Sequence, residues 1–238
     1  MRHNRDFKWF ILLECFIYTA FTTLDIGFED PSLMRVSVAL KLLSIAICVV
    51  FLSKLSLANP ENRDARLMVL IMSLTLASDV ILLLTRQFTV GLILFVIVQS
   101  LYSIRIQKRL IMKEVFVKGA FFVACLLFFM QKMPERFNFA LMLALGDFYA
   151  LLFIWNIVVT TIKKSNNDYD RRLFAIGLIL YALCDINVAI YNFPSFFESN
   201  IMLSRIYAFS GLAMWLFYLP GQVALALSVR RKVDGIRG

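Results

Sequence analysis

The chain has 238 residues, 61% hydrophobic and 17% charged, with a formal net charge of +9 and a mean hydropathy of +0.77. That apolar share lies far above that of a water-soluble domain and marks an integral membrane protein, a single polytopic domain over 1–238 with no soluble part. The basic excess sits between apolar runs, where the membrane rather than nucleic acid accounts for it, and the one histidine, His3, excludes a Ser–His–acid triad and any multi-histidine zinc site.

Eight apolar runs follow in order, each about the ~20 residues that cross a bilayer as a helix. A polar, basic start leads into the first, 9–26, which holds Glu14 and ends near Asp25. It is similar to a secretory leader, but no small-x-small site follows and Glu14 interrupts it, so it reads as a retained helix. The second run, 36–53, contains Lys41, and the turn-rich Asn59-Pro60-Glu61-Asn62 lies in the connection after it. A very short polar link joins the third run, 67–84, to the fourth, 90–104; Asp79 lies in the one and Gln99 in the other.

A basic connector precedes the fifth run, 115–131, and Met133-Pro134-Glu135 turns the chain into the sixth, 139–162, which carries Asp147, Tyr149 and Asn156. The solvated stretch 163–172 separates it from the seventh, 173–193, with Cys184-Asp185 inside. The eighth, 206–228, contains Tyr218, Pro220 and Gln222. Cys15, Cys48, Cys125 and Cys184 all fall inside apolar runs and read as small hydrophobes rather than disulfide or metal partners.

Charge orients the bundle. With alternating helices, only Arg35, Arg86, Lys132, Arg136 and Arg205 fall on one side, and Lys41 and Lys118 lie within spans. The other eighteen of the 25 lysines and arginines fall on the opposite side. The positive-inside rule makes that side, and both termini, cytoplasmic. Asp79 and Asp185 then lie about 7–8 Å below the outer boundary at ~1.5 Å per residue. Lys41 lies at a similar depth, and Gln99 and Asp147 lie deeper. Ionisable groups survive in lipid where they face a bundle interior, so this layer is the candidate site. Glu14, nearer the cytoplasmic face, is expected to snorkel. Asp147 and Tyr149 stand about 200° apart on a helix, so one of them faces the site; Tyr149 is favoured and Asp147 left as structural.

Spans three–four and seven–eight echo each other. Asp79 precedes Phe88 much as Asp185 precedes Phe193, and each following span carries a Tyr/Gln pair on one face, Gln99 with Tyr102 and Tyr218 with Gln222. The echo suggests a parallel four-plus-four repeat.

The ordered pattern Ser78-Asp79, Phe88, Gly91-Leu92, Phe95, Tyr102, then Gly177, Cys184-Asp185, Phe193, Tyr218, Gln222 and Ser228 resembles the YhhN-like family of eight-span membrane proteins. The resemblance runs over most of the chain from Lys41 onward, and Tyr149 fits it as well. Two positions depart from the family pattern: Gln99 stands where a histidine is usual, and Cys184 replaces a small hydroxyl residue before the second aspartate.

The family's characterised members are lysoplasmalogenases, so the resemblance implies cleavage of the vinyl ether of a lysoplasmalogen to a fatty aldehyde and a glycerophospho-alcohol. Acid cleavage of a vinyl ether needs a protonated acid and a nearby anion, the division of labour that paired carboxylates manage in glycoside hydrolysis. The resemblance implies Asp79 and Asp185 for those roles, with Lys41 balancing charge. Gln99, Tyr102, Tyr149, Tyr218 and Gln222 would hold water and the lysophospholipid. No metal, cofactor or nucleophilic serine is called for. Two alternatives remain open at this point: a lipid or small-molecule transporter or binding protein using the same polar layer, and an inactive relative, since Gln99 cannot carry a proton near neutral pH.

Overall fold

Backbone polar groups in a bilayer must be satisfied within the protein, which makes the α-helix the form open to long apolar runs without strand alternation. The computed structural model describes residues 2–27, 30–85, 87–107, 112–162, 168–192 and 201–229, almost all of them helical. Among the described residues, eight helices are long and apolar enough to cross a membrane. They are α1 (Arg2–Gly27), α2 (Pro31–Ala58), α3 (Arg63–Val80), α4 (Phe88–Gln107), α5 (Met112–Lys132), α6 (Phe137–Ile162), α7 (Asp168–Asn192) and α8 (Ile201–Leu227). Each expected span has its helix. Phe193, the connector cations Lys108, Arg109, Lys163 and Lys164, and the tail 230–238 lie outside the described residues.

The helices outrun the apolar runs because polar flanks cap them. Asp30 is the N-cap of α2, accepting from the Ser32 amide at 2.7 Å and the Ser32 hydroxyl at 2.6 Å, with Pro31 at the first helical position. The Ser32 hydroxyl, then its amide, hold the Asp30 carboxyl below its ordinary range. Asn62 serves α3 likewise, its side-chain oxygen accepting from the Ala65 amide at 3.1 Å.

The chain forms two compact units. One gathers α1, α2, the first turns of α3, α7 and α8. In it α7 lies against α8 where Gly177 meets Gly221: a Cβ on Gly177 would stand 3.0 Å from the Gly221 carbonyl oxygen. Small residues of this kind let membrane helices approach closely and gain dispersion contacts. Helix α1 packs on α2, with Phe10 and Phe51 stacked at 4.2 Å. Glu14 does not snorkel. It is 5% exposed, because the Ser44 hydroxyl and the Cys48 thiol, one turn apart on α2, donate to its carboxylate where it stands. Pro220 interrupts α8 and lacks the N–H that would bond the Leu216 carbonyl. The Tyr18 hydroxyl of α1 donates to that carbonyl at 3.2 Å.

The other unit holds the rest of α3 with α4, α5 and α6. Helix α3 ends in one π-helical turn, Ile81–Thr85, which packs on α4. Gly91 allows that approach, since a Cβ there would meet the Leu82 side chain at 2.5 Å. The Ser78 hydroxyl ties the same helices, donating to the Gly91 carbonyl at 2.8 Å. Helix α6 packs against both α4 and α5, the latter through Phe122 and Phe148 at 5.4 Å.

Candidate functional site

The sequence-derived residues divide between the units. Asp79, Gln99, Tyr102 and Tyr149 belong to the one built on α3–α6, and Lys41, Asp185, Tyr218 and Gln222 to the one built on α1, α2, α7 and α8.

In the α3–α6 unit, Asp79 is 7% exposed and lies two residues before the π-helical turn. Such turns are inserted where a helix must aim side chains out of the regular register, frequently at functional sites. Gln99 and Tyr102 lie on the buried face of α4, both fully buried. Asn156 on α6 anchors that face: its amide nitrogen donates to the Gln99 carbonyl at 2.8 Å and to the Gln99 side-chain oxygen at 2.9 Å. Ser103, one turn after Gln99, donates to the Asn156 side-chain oxygen at 2.7 Å. The network orients the Gln99 amide, fixing its oxygen toward Asn156. Its nitrogen, Nε2, is buried and makes no hydrogen bond among the described residues. A donor left in that state is an adverse arrangement that natural cores rarely keep without a use.

Tyr149 closes the same helix contact, its ring 6.1 Å from Phe95 on α4 and 5.5 Å from Phe153. Asp147 is exposed. The helical angle separates the two as expected, with the tyrosine turned inward.

In the other unit, Lys41 has a partner of its own. Its Nζ stands 2.7 Å from Asp25 Oδ2 and lies over the Trp215 ring at 4.4 Å, and the Ser37 hydroxyl donates to Asp25 Oδ1 at 2.5 Å. The charge that was expected to balance the site aspartates is therefore matched by Asp25, at the end of α1. From Trp215 a run of rings continues. Trp215 meets Tyr218 at 5.7 Å and Tyr218 meets Tyr181 at 5.4 Å, both edge to face. Tyr181 lies one helical turn before Asp185, which is half-buried. Gln222, one turn after Tyr218 and beside the Gly177–Gly221 contact, is fully buried, and neither end of its amide makes a hydrogen bond among the described residues.

Sequence reading missed Asp25, Trp215, Asn156 and Ser103 as partners. Asn156 carried a signal, an amide inside an apolar run, and so did Ser103, one turn from Gln99 on the same face. Asp25 carried little, because a carboxylate at a span end is ordinarily a solvated one.

Beyond the geometry, the model of the YhhN family matches residues 36–229. Neither the curated proteins nor the solved structures supply a match.

Proposed function

The chain belongs to the YhhN family, and from that premise we propose that it is a membrane-embedded hydrolase of the lysoplasmalogenase type. The observation that carries the reading is Asp79, a carboxylate 7% exposed inside an apolar span, beside a π-helical turn. An ionisable side chain kept inside an apolar span is a functional-site candidate by default, and a carboxyl can serve there as a general acid.

In the proposed reaction one carboxylic acid, Asp79 or Asp185, delivers its proton to the vinyl carbon remote from oxygen. The C=C pair forms the new C–H bond and leaves an oxocarbenium ion. The other carboxylate stabilises that cation and takes a proton from the water that attacks it. The resulting hemiacetal collapses: the C–O bond to glycerol breaks, the glycerol oxygen is protonated, and a fatty aldehyde departs. Gln99 and Gln222 support the reading with buried amide groups available to water or a lipid oxygen. Tyr102, Tyr149 and Tyr218 line the buried helix faces beside them, and Lys41, already neutralised by Asp25, contributes its position more than its charge. In this reading the substrate is a lysophospholipid drawn from the bilayer, and both termini face the cytoplasm, the cell membrane being the site in a bacterium.

The same buried amides would also serve a lipid-binding or transport protein, and turnover separates the two. Asp79→Asn and Asp185→Asn are each expected to lower aldehyde release from lysoplasmalogen by at least about a hundredfold, the scale of a lost general acid or base. Both variants should still insert and unfold like the parent. Turnover retained in either variant would remove that aspartate from the chemistry. Lysoplasmalogen bound but never cleaved by the parent would favour the binding protein.

A further inference from the structure

Helices α4, α5 and α6 line a half-open cavity of ≈ 230 Å³. Gln107 and Glu114, from the end of α4 and the start of α5, line it together with Lys118, Ser103, Phe148 and Leu152. Apart from Ser103, which also bonds Asn156, none of these residues carries a role in the reaction above. Glu114 Oε2 accepts from the Gln107 amide at 2.6 Å and lies 3.5 Å from Lys118 Nζ. Both charged side chains are largely withdrawn from solvent, at 28% and 17% exposure. Lys118 also lies 5.6 Å from the centre of the Trp155 ring.

A helix-stabilising i, i+4 pair would account for the Glu114–Lys118 contact alone. It does not account for the cavity beside the pair or for the capacity left over. Both contacts that Glu114 makes among the described residues go through Oε2, which leaves Oε1 open to a further donor, and a lysine ammonium has three N–H donors. Nor does it account for the order of groups along the membrane normal. The α5 span begins at Lys113, which puts Glu114 at the boundary. Lys118 lies one turn, about 6 Å, deeper. Phe148, in contact with Phe122 a further turn along α5, lies deeper still. From the water inward the cavity thus presents an anion, a cation and then apolar surface. An amine-bearing glycerophospholipid presents the complement in the same order: ammonium outermost, phosphate beneath it, and hydrocarbon below. Among the described residues, no position in the α5 span is fully buried, which leaves the helix open to bilayer lipid.

We propose that this cavity binds the headgroup of a phospholipid that carries a cationic amine, with the ammonium on Glu114 and Gln107 and the phosphate on Lys118. An anionic lipid lacks the partner for Glu114 and would meet its charge. The site stands on its own, whether or not the chain is a hydrolase.

Native mass spectrometry of the full chain in detergent tests it, with phosphatidylethanolamine, lysophosphatidylethanolamine and phosphatidylglycerol of matched acyl chain as probes. The parent is expected to retain an ethanolamine lipid about tenfold better than the glycerol lipid, the scale of one charge-assisted hydrogen bond. The double exchange Glu114→Lys with Lys118→Glu keeps net charge and the i, i+4 pair but inverts the order of charges, so it should lose that preference. An exchange variant that binds like the parent would reduce the pair to helix stabilisation and overturn the proposal, as would equal retention of all three probes by the parent. Should the exchange variant fail to fold, Glu114→Gln replaces it, and an unchanged preference there has the same force. Retention of the one-chain probe alone would identify a lysolipid site, and retention of both ethanolamine probes a site for bilayer lipid.

Discussion

The ion pair between Asp25 and Lys41 makes a quantitative prediction. Lys41 Nζ is 2.7 Å from Asp25 Oδ2, with the two side chains 6% and 18% exposed. Asp25→Asn keeps the shape of the side chain and its contact with Ser37 but leaves the ammonium with aromatic rings alone, Trp215 at 4.4 Å and Phe21 at 5.4 Å. Breaking a buried pair from one side costs ~3–5 kcal/mol. Because Asp25 is partly exposed and the cation–π contact returns about 1 kcal/mol, the expected loss is about 2–3 kcal/mol. Lys41→Met keeps most of the apolar stem and strands a carboxylate that still accepts from Ser37, so it should lose less, about 1–2 kcal/mol. The double variant buries no unpaired charge and should return to within about 1 kcal/mol of the parent. The assay is equilibrium unfolding by SDS in mixed micelles, run as a double-mutant cycle. A coupling of about 3 kcal/mol is expected. Strictly additive losses would mean that the pair is incidental, and would return Lys41 to the role of counter-charge for Asp79 and Asp185.

Three other outcomes follow from particular contacts. Gly177→Ala places a Cβ 3.0 Å from the Gly221 carbonyl oxygen and 2.7 Å from Leu225. It should destabilise the same SDS transition by ~1–3 kcal/mol, while Gly119→Ala, with nothing within 4 Å of its added Cβ, should stay within about 0.5 kcal/mol of the parent. Gln99→His keeps an acceptor for Asn156 and introduces an imidazole, which can carry a proton where an amide cannot, so the rate profile of lysoplasmalogen cleavage should gain a second step with the fold unchanged; a profile identical to the parent's would show that this position handles no protons. Asp30 has its carboxyl held below the ordinary range by Ser32. A depressed folded-state value gives stability that is present above the unfolded value and lost as pH falls through the folded one. Asp30→Ala should therefore lower the thermal midpoint at neutral pH, and the gap to the parent should close in acid; a gap independent of pH would assign the loss to helix propensity.

How far the sequence could be read depended on what each residue answers to. The eight helices were legible because a bilayer sets span length and hydropathy reports it directly. The inward placement of Asp79, Gln99, Tyr102 and Tyr218 followed from the cost of exposing a polar group to lipid, and all four are buried. Partnerships were not legible. Lys41 answers to Asp25, and Glu14 to Ser44 and Cys48. Pairs of this kind depend on helix rotation and on the angle at which two helices cross, which hydropathy does not encode. The π-helical turn after Asp79 was invisible for a related reason, since Ile81–Thr85 is as apolar as the α-helix before it. Helix ends ran past the apolar runs because Asp30 and Asn62 cap them, a local signal that hydropathy averages away.

Cleavage of a vinyl ether by carboxyl protonation of carbon can be followed by comparing two lysolipids in deuterated water. One carries the vinyl ether and the other the saturated alkyl ether, with headgroup and chain length the same. The purified protein is expected to release aldehyde from the vinyl ether alone, and aldehyde trapped as it forms should carry one deuterium at the carbon next to the carbonyl. Cleavage of both lipids, or aldehyde free of deuterium at that carbon, would contradict it.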